Sequence, residues 1–381
     1  CCSPRSFSRR ANSLCSRERY RLKTRLGIIG CGQLSQMLGE AANRQGASVA
    51  FLCLDEIPVV AGLGPIFEAS DLEAFLKACD VVTVERESID DVILQRVRDT
   101  VGLAPRYEAL VVLRERDTQK AMLDALEIPT SPWFCAANRE ALLESMAAAP
   151  EGSLRCKRTL GGYDGGGQWR VTSAEDSGKI PDDGFPVIAE AEIAIERELA
   201  IVVARDNGGA IMTYPMTENV MRDGILIGSL VPANVTDAMT DEATRHAHSL
   251  VNAMDYVGVL AIEFFVTEGR LIVNEIAPRV HNTGHWTIGA VGADQFTQHV
   301  VCTLGGTVRE VSFSGAAAMV NLLDDKFPTT LPEAGVRSLI QTYGKGLRKG
   351  RKVGHVTLLG SNTNVVRETA QNLIDELHGA R

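Results

Sequence analysis

Apolar positions along the chain switch between two spacings, and the switches mark out its elements. Residues 26–29 are a short continuous apolar run, Leu34, Met37, Leu38 and Ala41 recur at helical spacing, and SVAFLCLD returns to a continuous run. Runs of that length suit strands buried on both faces, and the spacing between them suits an amphipathic helix. Gly30-Cys31-Gly32 supplies a tight turn and Gly46 a helix end, so the unit is predicted as strand, glycine turn, helix and parallel strand. DVVTVE, residues 80–85, predicts a third strand running into two carboxylates, Glu85 and Glu87. Ligands of open α/β sheets bind at that edge.

After Pro105 the texture changes. RERDTQKAMLDALEIP predicts a helix that carries Lys120 and stops before Pro129 and Pro132, and residues 140–149 predict another. LRCKRTLGGYDGGGQWRVT reads as strand, glycine-rich loop, strand, with five glycines between positions 161 and 167. Such a loop presents backbone N–H groups rather than packed side chains. A strand at 199–205, a helix around 243–254, and two further strands, AAAMVNLL and HVTLLG, complete the pattern, the last two flanking the basic stretch YGKGLRKGRKVGH.

Composition excludes some classes of function. The net charge of -9 over 381 residues, from 48 acidic and 39 basic side chains, leaves no positive excess for a nucleic-acid partner. No apolar run reaches the 18 or so residues of a membrane span. Nine scattered cysteines read as free thiols in a reducing compartment. Residues 1–25 are rich in Arg and Ser with Glu18 the sole acid. They read as a leader or expression-derived segment, or as a transit segment to a plastid or other organelle; without such an address the chain reads as cytoplasmic. GxGxxG is incomplete because position 35 is Ser, so the first turn is not a dinucleotide fingerprint. Its glycines still let an anion approach the helix N-terminus.

LAIEFFVTEGRLIVNEIAPRVHNTGHWT, residues 260–287, predicts a hairpin about VTEG, where Gly269 tolerates positive φ. That turn sets Glu263 opposite residue 274 or 275, which brings Glu263 and Glu275 together in apolar surroundings. Two such carboxylates raise each other's pKa, and burial adds desolvation. A divalent cation relieves both effects, and Mg²⁺ takes one or two carboxylates together with substrate phosphates. Asn274 would add a carbonyl oxygen. The competing reading pairs the acids with Arg270 or Arg279. The glycine flap, with Lys120 and Lys157 to cover phosphate charge, favours a metal–triphosphate clamp.

In order along the chain, GCGQLSQML, GGYDGGGQW, YPMTENVMRDGIL, NEIAPRVHNTGHWT and YGKGLRKGRKVGH resemble the ATP-grasp enzymes, and in particular the N5-carboxyaminoimidazole ribonucleotide synthetase family. The likeness runs from about residue 26 to about residue 370. It implies an α/β ATP-grasp fold: after the leader 1–25, a Rossmann-like domain at 26–108, a central region with the flap at 109–205, and a C-terminal half at 206–381. It also implies a homodimeric ligase of purine biosynthesis without nucleic-acid or membrane partners. Such a ligase uses ATP, Mg²⁺ and bicarbonate to carboxylate 5-aminoimidazole ribonucleotide through carboxyphosphate. HNTGHWT and RKVGH separate the chain from the formate-dependent transformylases, which share the NE-x-x-PR-x-H element.

Carried over by position, the resemblance places ATP at Lys120, Lys157, Gly162, Asp164, Gly165, Gly167 and Gln168, along the hinge Glu190, Ala191, Glu192 and Ile193, and at Glu198 and Asn274. It places the metal at Glu263 and Glu275, and the reacting groups at Arg279, His281 and His285. The ribonucleotide falls to Gln33, Leu34, Glu85, Tyr163, Lys345, Arg348, Arg351 and Lys352.

Several positions depart from the family pattern. Ser35 and Gln36 follow GQL in place of glycine and arginine, TVERES brings in Arg86 and Ser88, and Arg158-Thr159 replaces a basic pair. Gly166 stands for a basic flap residue, and Glu192 for an apolar hinge residue, where a carboxylate needs a partner or solvent. These changes define the alternative, a nucleotide-binding or partner-binding relative with weak turnover.

Overall fold

The structure is a computed structural model that describes residues 24–54, 57–148, 153–161, 167–331, 335–346 and 348–379. The predicted apolar runs become β1 (Arg25–Ile29), β2 (Ser48–Cys53) and β4 (Val81–Val84), joined by β3 (Ile66–Glu68) in a parallel sheet of order β3-β2-β1-β4. Alternate residues feed two cores. Leu26, Ile28 and Phe51 pack with α1 (Gln33–Arg44), whereas Ile29, Leu52 and Val82 pack with α2 (Leu72–Lys77) and α3 (Asp91–Thr100). Burial on both faces is why these strands read as unbroken apolar runs.

The first turn of α1 has no side-chain cap of its own. Glu85, just past β4, accepts from Gly32 N and Ser35 N, each at 2.9 Å. A Cβ at Gly30, where φ is +125°, would lie 2.4 Å from Glu85 Cγ, so this carboxylate requires the glycine. The anion expected at this helix N-terminus is thus one the protein supplies.

Cys31 and Cys53 are joined in a disulfide with Cα atoms 5.4 Å apart, which corrects the expectation of free thiols. The register Ile29↔Leu52 carries both cysteines to adjacent strand ends, within bridging distance. Cys79, Cys135, Cys156 and Cys302 are free.

Helices α4 (Tyr107–Arg114) and α5 (Arg116–Ala125) lead out of this sheet. Next come β5 (Trp133–Ala136), α6 (Arg139–Ala148), β6 (Leu154–Arg158), β7 (Gln168–Val171) and β8 (Val187–Ala191), whose strands form an antiparallel sheet of order β5-β8-β6-β7. β6 and β7 are the predicted strands on either side of the glycine loop.

The remaining strands form one nine-stranded antiparallel sheet. They are β9 (Arg197–Arg205), β10 (Ile211–Thr213), β11 (Thr217–Arg222), β12 (Ile225–Val231), β13 (Gly258–Thr267), β14 (Arg270–Ala277), β15 (Ala316–Leu323), β16 (Arg337–Thr342) and β17 (Lys352–Gly360). Their order is β14-β13-β9-β11-β12-β15-β17-β16, with β10 on β9. Helices α7 (Asp237–Ala253) and α8 (Gln295–Thr303) pack on β9, and α9 (Thr363–His378) packs on β12, β15 and β17. The expected division at 205/206 falls inside this sheet, whereas sheet membership changes between β8 and β9.

The ladder shifts register at Val220/Met221, Glu263/Phe264 and Leu322/Leu323, and such irregularities increase local twist. Five strand steps separate β13 from β17, about 24 Å on a flat sheet at about 4.8 Å per step. Yet Lys352 of β17 lines the same cleft as Glu263 of β13, and its charge acts on that residue. The sheet therefore curls around the face that carries Glu263.

Candidate active site

A cleft of about 1330 Å³ opens where the three sheets meet. On its floor Glu263 pairs directly with Glu275 across β13 and β14, and Phe265 pairs with Glu198 of β9. Residues paired across strands share a face, as do residues two apart. Glu198, Glu263 and Glu275 therefore present three carboxylates from neighbouring strands to one side. Burial first, then Glu275 and Glu198, push Glu263 up to about 8, and burial raises Glu198.

Both arginines of the competing reading pair with other carboxylates, although the charge of Arg279 still acts on Glu263. Arg270 meets Glu268 at 2.8 Å, and Arg279 Nε meets Glu87 at 2.8 Å. An all-oxygen set of close carboxylates, beside Asn274 on the same cleft wall, fits a hard cation. Among the described residues no group of three or more His, Cys, Asp or Glu is placed to hold a metal ion, so at most two of these carboxylates would share one.

Opposite this floor, Glu190 of β8 lies between two lysines, 2.5 Å from Lys120 Nζ and 2.5 Å from Lys157 Nζ. Lys120 and Glu190 are 3% and 6% exposed. Burial alone would raise Glu190, but the two ammonium groups hold it below the usual carboxylate range; burial lowers Lys120. Lys120 also donates to Thr130 Oγ1, which donates to the Val273 carbonyl at 2.9 Å. Its neighbour Gln119 accepts from Ile276 N at 3.0 Å and donates to Ile276 O at 3.1 Å and Leu113 O at 2.9 Å. One helix thus sets a lysine against Glu190, behind the residues that line the cleft, and clamps the strand that bears Glu275.

The hinge residues Ala191, Glu192 and Ile193 line the cleft beside Glu198 and Gln168. Glu192 has the partners its position demands: Arg155 at 2.9 Å and Arg170 at 2.7 Å. Those arginines face each other across β6 and β7, so the carboxylate also separates two like charges. Gly167 adopts φ +68° and its carbonyl accepts from Arg158 N. Arg116 Nη1 donates to the carbonyls of Arg158 and Gly161, at 3.0 and 2.5 Å, and so grips the root of the glycine loop. Gly162, Tyr163, Asp164, Gly165 and Gly166 lie outside the described residues, as do residues 1–23.

At the other end of the cleft Lys345 Nζ donates to Gln33 Oε1 at 2.5 Å, joining positions 312 apart in sequence. Leu34, Glu85, Arg348, Arg351 and Lys352 line the same end. The basic loop is shaped by Asp324, which accepts from Gly350 N and whose own N–H donates to Arg351 O at 2.9 Å. Arg279 and His281 line the cleft as well. His281 Nε2 lies 3.7 Å from Glu263, and burial, followed by Arg279 and Lys352, keeps its imidazole well below the ordinary histidine value.

His285 does not reach the cleft, a correction to its expected catalytic place. The short helical turn Asn282–Thr287 sends it inward, where it has no exposure. Its ring packs 5.4 Å from Phe296 and 5.0 Å from His355, and Nδ1 meets Gln295 at 3.0 Å. Sequence reading missed Ser131, Arg155, Phe265 and Asn282 in the cleft lining. Asn282 alone carried a signal, through its place in HNTGHWT.

Comparison with known proteins places three families along the chain. The ribonucleotide synthetase preATP-grasp domain matches residues 23–114, the ATP-grasp domain residues 121–296, and the phosphoribosylaminoimidazole carboxylase C-terminal domain residues 317–369. N5-carboxyaminoimidazole ribonucleotide synthase of Brucella melitensis is 35% identical over 357 residues, which cover 89% of this chain and 97% of that protein. The crystal structure of the Thermus thermophilus synthetase superposes with a TM-score of 0.85 at 32% identity, covering 93% of this chain and 98% of that one. An Aspergillus clavatus synthase, solved with ADP and 5-aminoimidazole ribonucleotide, superposes with a TM-score of 0.82 at 27% identity, covering 93% and 99%.

Proposed function

The chain belongs to the N5-carboxyaminoimidazole ribonucleotide synthase family of ATP-grasp ligases, and we propose that it carboxylates 5-aminoimidazole ribonucleotide at its exocyclic amine, using ATP and bicarbonate. The observation that carries this reading is one cleft lined both by the carboxylate pair Glu263–Glu275 and by Glu190 with Lys157, with Lys120 packed behind Glu190. A triphosphate between them meets ammonium groups on one side, and on the other carboxylates that would hold Mg²⁺. That ion would supply charge cancellation at the phosphates during transfer.

A bicarbonate oxygen forms a bond to the γ-phosphorus as the bond to the β–γ bridging oxygen breaks, giving ADP and carboxyphosphate. The amine nitrogen then bonds to the carboxyl carbon, phosphate leaves and the amine loses a proton. Lys120 and Lys157 hold the phosphates, and the hinge Glu190–Ile193 with Glu198 holds the nucleoside. Gln33, Leu34, Glu85, Lys345, Arg348, Arg351 and Lys352 surround the ribonucleotide. Arg279 faces the reacting carboxyl group, and neutral His281 sits beside it. Tyr163 and Asp164, outside the described residues, are assigned to the ribonucleotide and to ATP on the family resemblance alone.

The homodimer and the cytoplasmic location are parts of the same reading. Light scattering tests the first, and no described helix is long and apolar enough to cross a membrane. The decisive assay is ADP release from purified protein with Mg-ATP. Release that depends on both bicarbonate and 5-aminoimidazole ribonucleotide supports the function, whereas ADP binding without such release overturns it.

A further inference from the structure

We propose that Glu87 is a positioning residue that fixes the guanidinium of Arg279 for the carboxylation step, an inference that rests on the functional reading above. Glu87 follows β4 in the parallel sheet, and Arg279 follows β14 in the nine-stranded sheet, 192 positions later. Arg279 Nε donates to Glu87 Oε2 at 2.8 Å, and the side chains are only 13% and 7% exposed. A charge-assisted bond at Nε, screened from water, sets the plane of a guanidinium as well as its position. Nη1 donates to the Val280 carbonyl at 3.3 Å, which orients a second edge.

Glu87 is itself held in place. Its carbonyl accepts from Ile89 N at 2.9 Å, and Glu85, two residues earlier, is tied to the start of α1. Arg279 lines the cleft, whereas Glu87 is not among the described residues that line it. Instead it borders a void of about 20 Å³ behind the floor, with Arg114, Arg116, Gln119 and Glu275. Among the described residues Glu87 is thus linked to the cleft through Arg279. The contact also couples two units, since α1, packed on the parallel sheet, carries Gln33 and Leu34 while β14 carries Glu275. Turning the guanidinium would misalign it against both substrates at once.

The test compares Glu87→Ala, Glu87→Gln, Arg279→Ala and the double variant Glu87→Ala/Arg279→Ala with the parent enzyme. Glu87→Ala should lose about 10–100-fold, in kcat rather than in KM for ATP. Glu87→Gln keeps an acceptor for Nε–H and should fall between parent and Glu87→Ala. The double variant should be no slower than Arg279→Ala, and calorimetric ADP affinity should stay within about twofold throughout, which a merely structural defect would not allow. A second readout needs no turnover: the Arg279 Nε–H resonance, identified by its loss in Arg279→Ala, should exchange slowly in the parent and rapidly in Glu87→Ala. Additive losses in the double variant, or a protected Nε–H in Glu87→Ala, would overturn the role of Glu87. Absence of turnover in the parent would overturn the functional reading instead, and the resonance would still decide this one.

Discussion

Glu263 of β13 stands directly opposite Glu275 of β14, at the residue where the ladder shifts register. Burial and the neighbouring carboxylates push Glu263 up to about 8. An acid raised on folding binds more protons in the native state between its ordinary value of 4.5 and about 8. Its contribution to stability therefore falls as pH rises through that window and levels off above it. Denaturation midpoints in chelator from about pH 5 to about pH 9 should decline for the parent, by at most about 1.4 kcal/mol per pH unit from this group. Glu263→Gln should flatten the profile. Mg-ADP should flatten it as well, because ion binding favours the ionised carboxylates.

Glu190 keeps the buried ammonium group of Lys120 and the partly buried one of Lys157 compatible with their surroundings. Replacing it by Gln leaves Lys120 and Lys157 facing each other without a carboxylate. Glu190→Gln should cost about 3–5 kcal/mol of unfolding free energy, measured by urea denaturation. Saturating ADP should restore part of it by supplying negative charge. A loss below about 1 kcal/mol would mean that the triad does not hold this region together.

Gln119 touches no ligand in the proposed arrangement, yet both polar groups of Ile276 depend on it. Gln119→Leu strands a buried N–H and a carbonyl next to Glu275, and should destabilise the protein by about 1–3 kcal/mol. Steady-state assays should show kcat falling while ADP affinity changes little, because the displaced element is the carboxylate strand rather than the nucleoside hinge.

Glu192 gives the opposite expectation. Its partners are about half exposed, with Arg155 at 41% and Arg170 at 57%, and exposed ion pairs contribute little. Glu192→Leu should shift stability by no more than about 1 kcal/mol. KM for ATP should stay within about threefold of the parent. A larger rise would make this carboxylate part of base recognition.

What could be read from residues follows from the range of the interactions involved. β1, α1, β2 and β4 were legible because local periodicity encodes burial on two faces. The Glu263–Glu275 pairing was legible because a short turn fixes register. β11 and β12 were passed over although Asp223-Gly224 supplies their turn, with Asp223 at φ +51°; β11 is only half-buried, and Gly228 and Ser229 interrupt the apolar run of β12. Edge strand β16 and helix α9 escaped notice too, their apolar positions being interleaved with polar ones. His285 misled because residue type suggests chemistry while the local turn decides direction. Contacts such as Lys345–Gln33 and Arg279–Glu87 join distant segments, and no local pattern announces them.

The shift at Glu263/Phe264 has a further consequence for how such a catalyst tolerates change. Glu275 and Val273 pair with the consecutive Glu263 and Phe264, so Asn274 is the extra residue. It lines the cleft beside Glu275, where strict alternation along the strand would admit one of the two. Insertions and deletions in this hairpin should therefore be far more damaging than most exchanges of one side chain for another. The miscount between two ribbons lets neighbours on one of them share a face, and a tidier pairing would give one of them up.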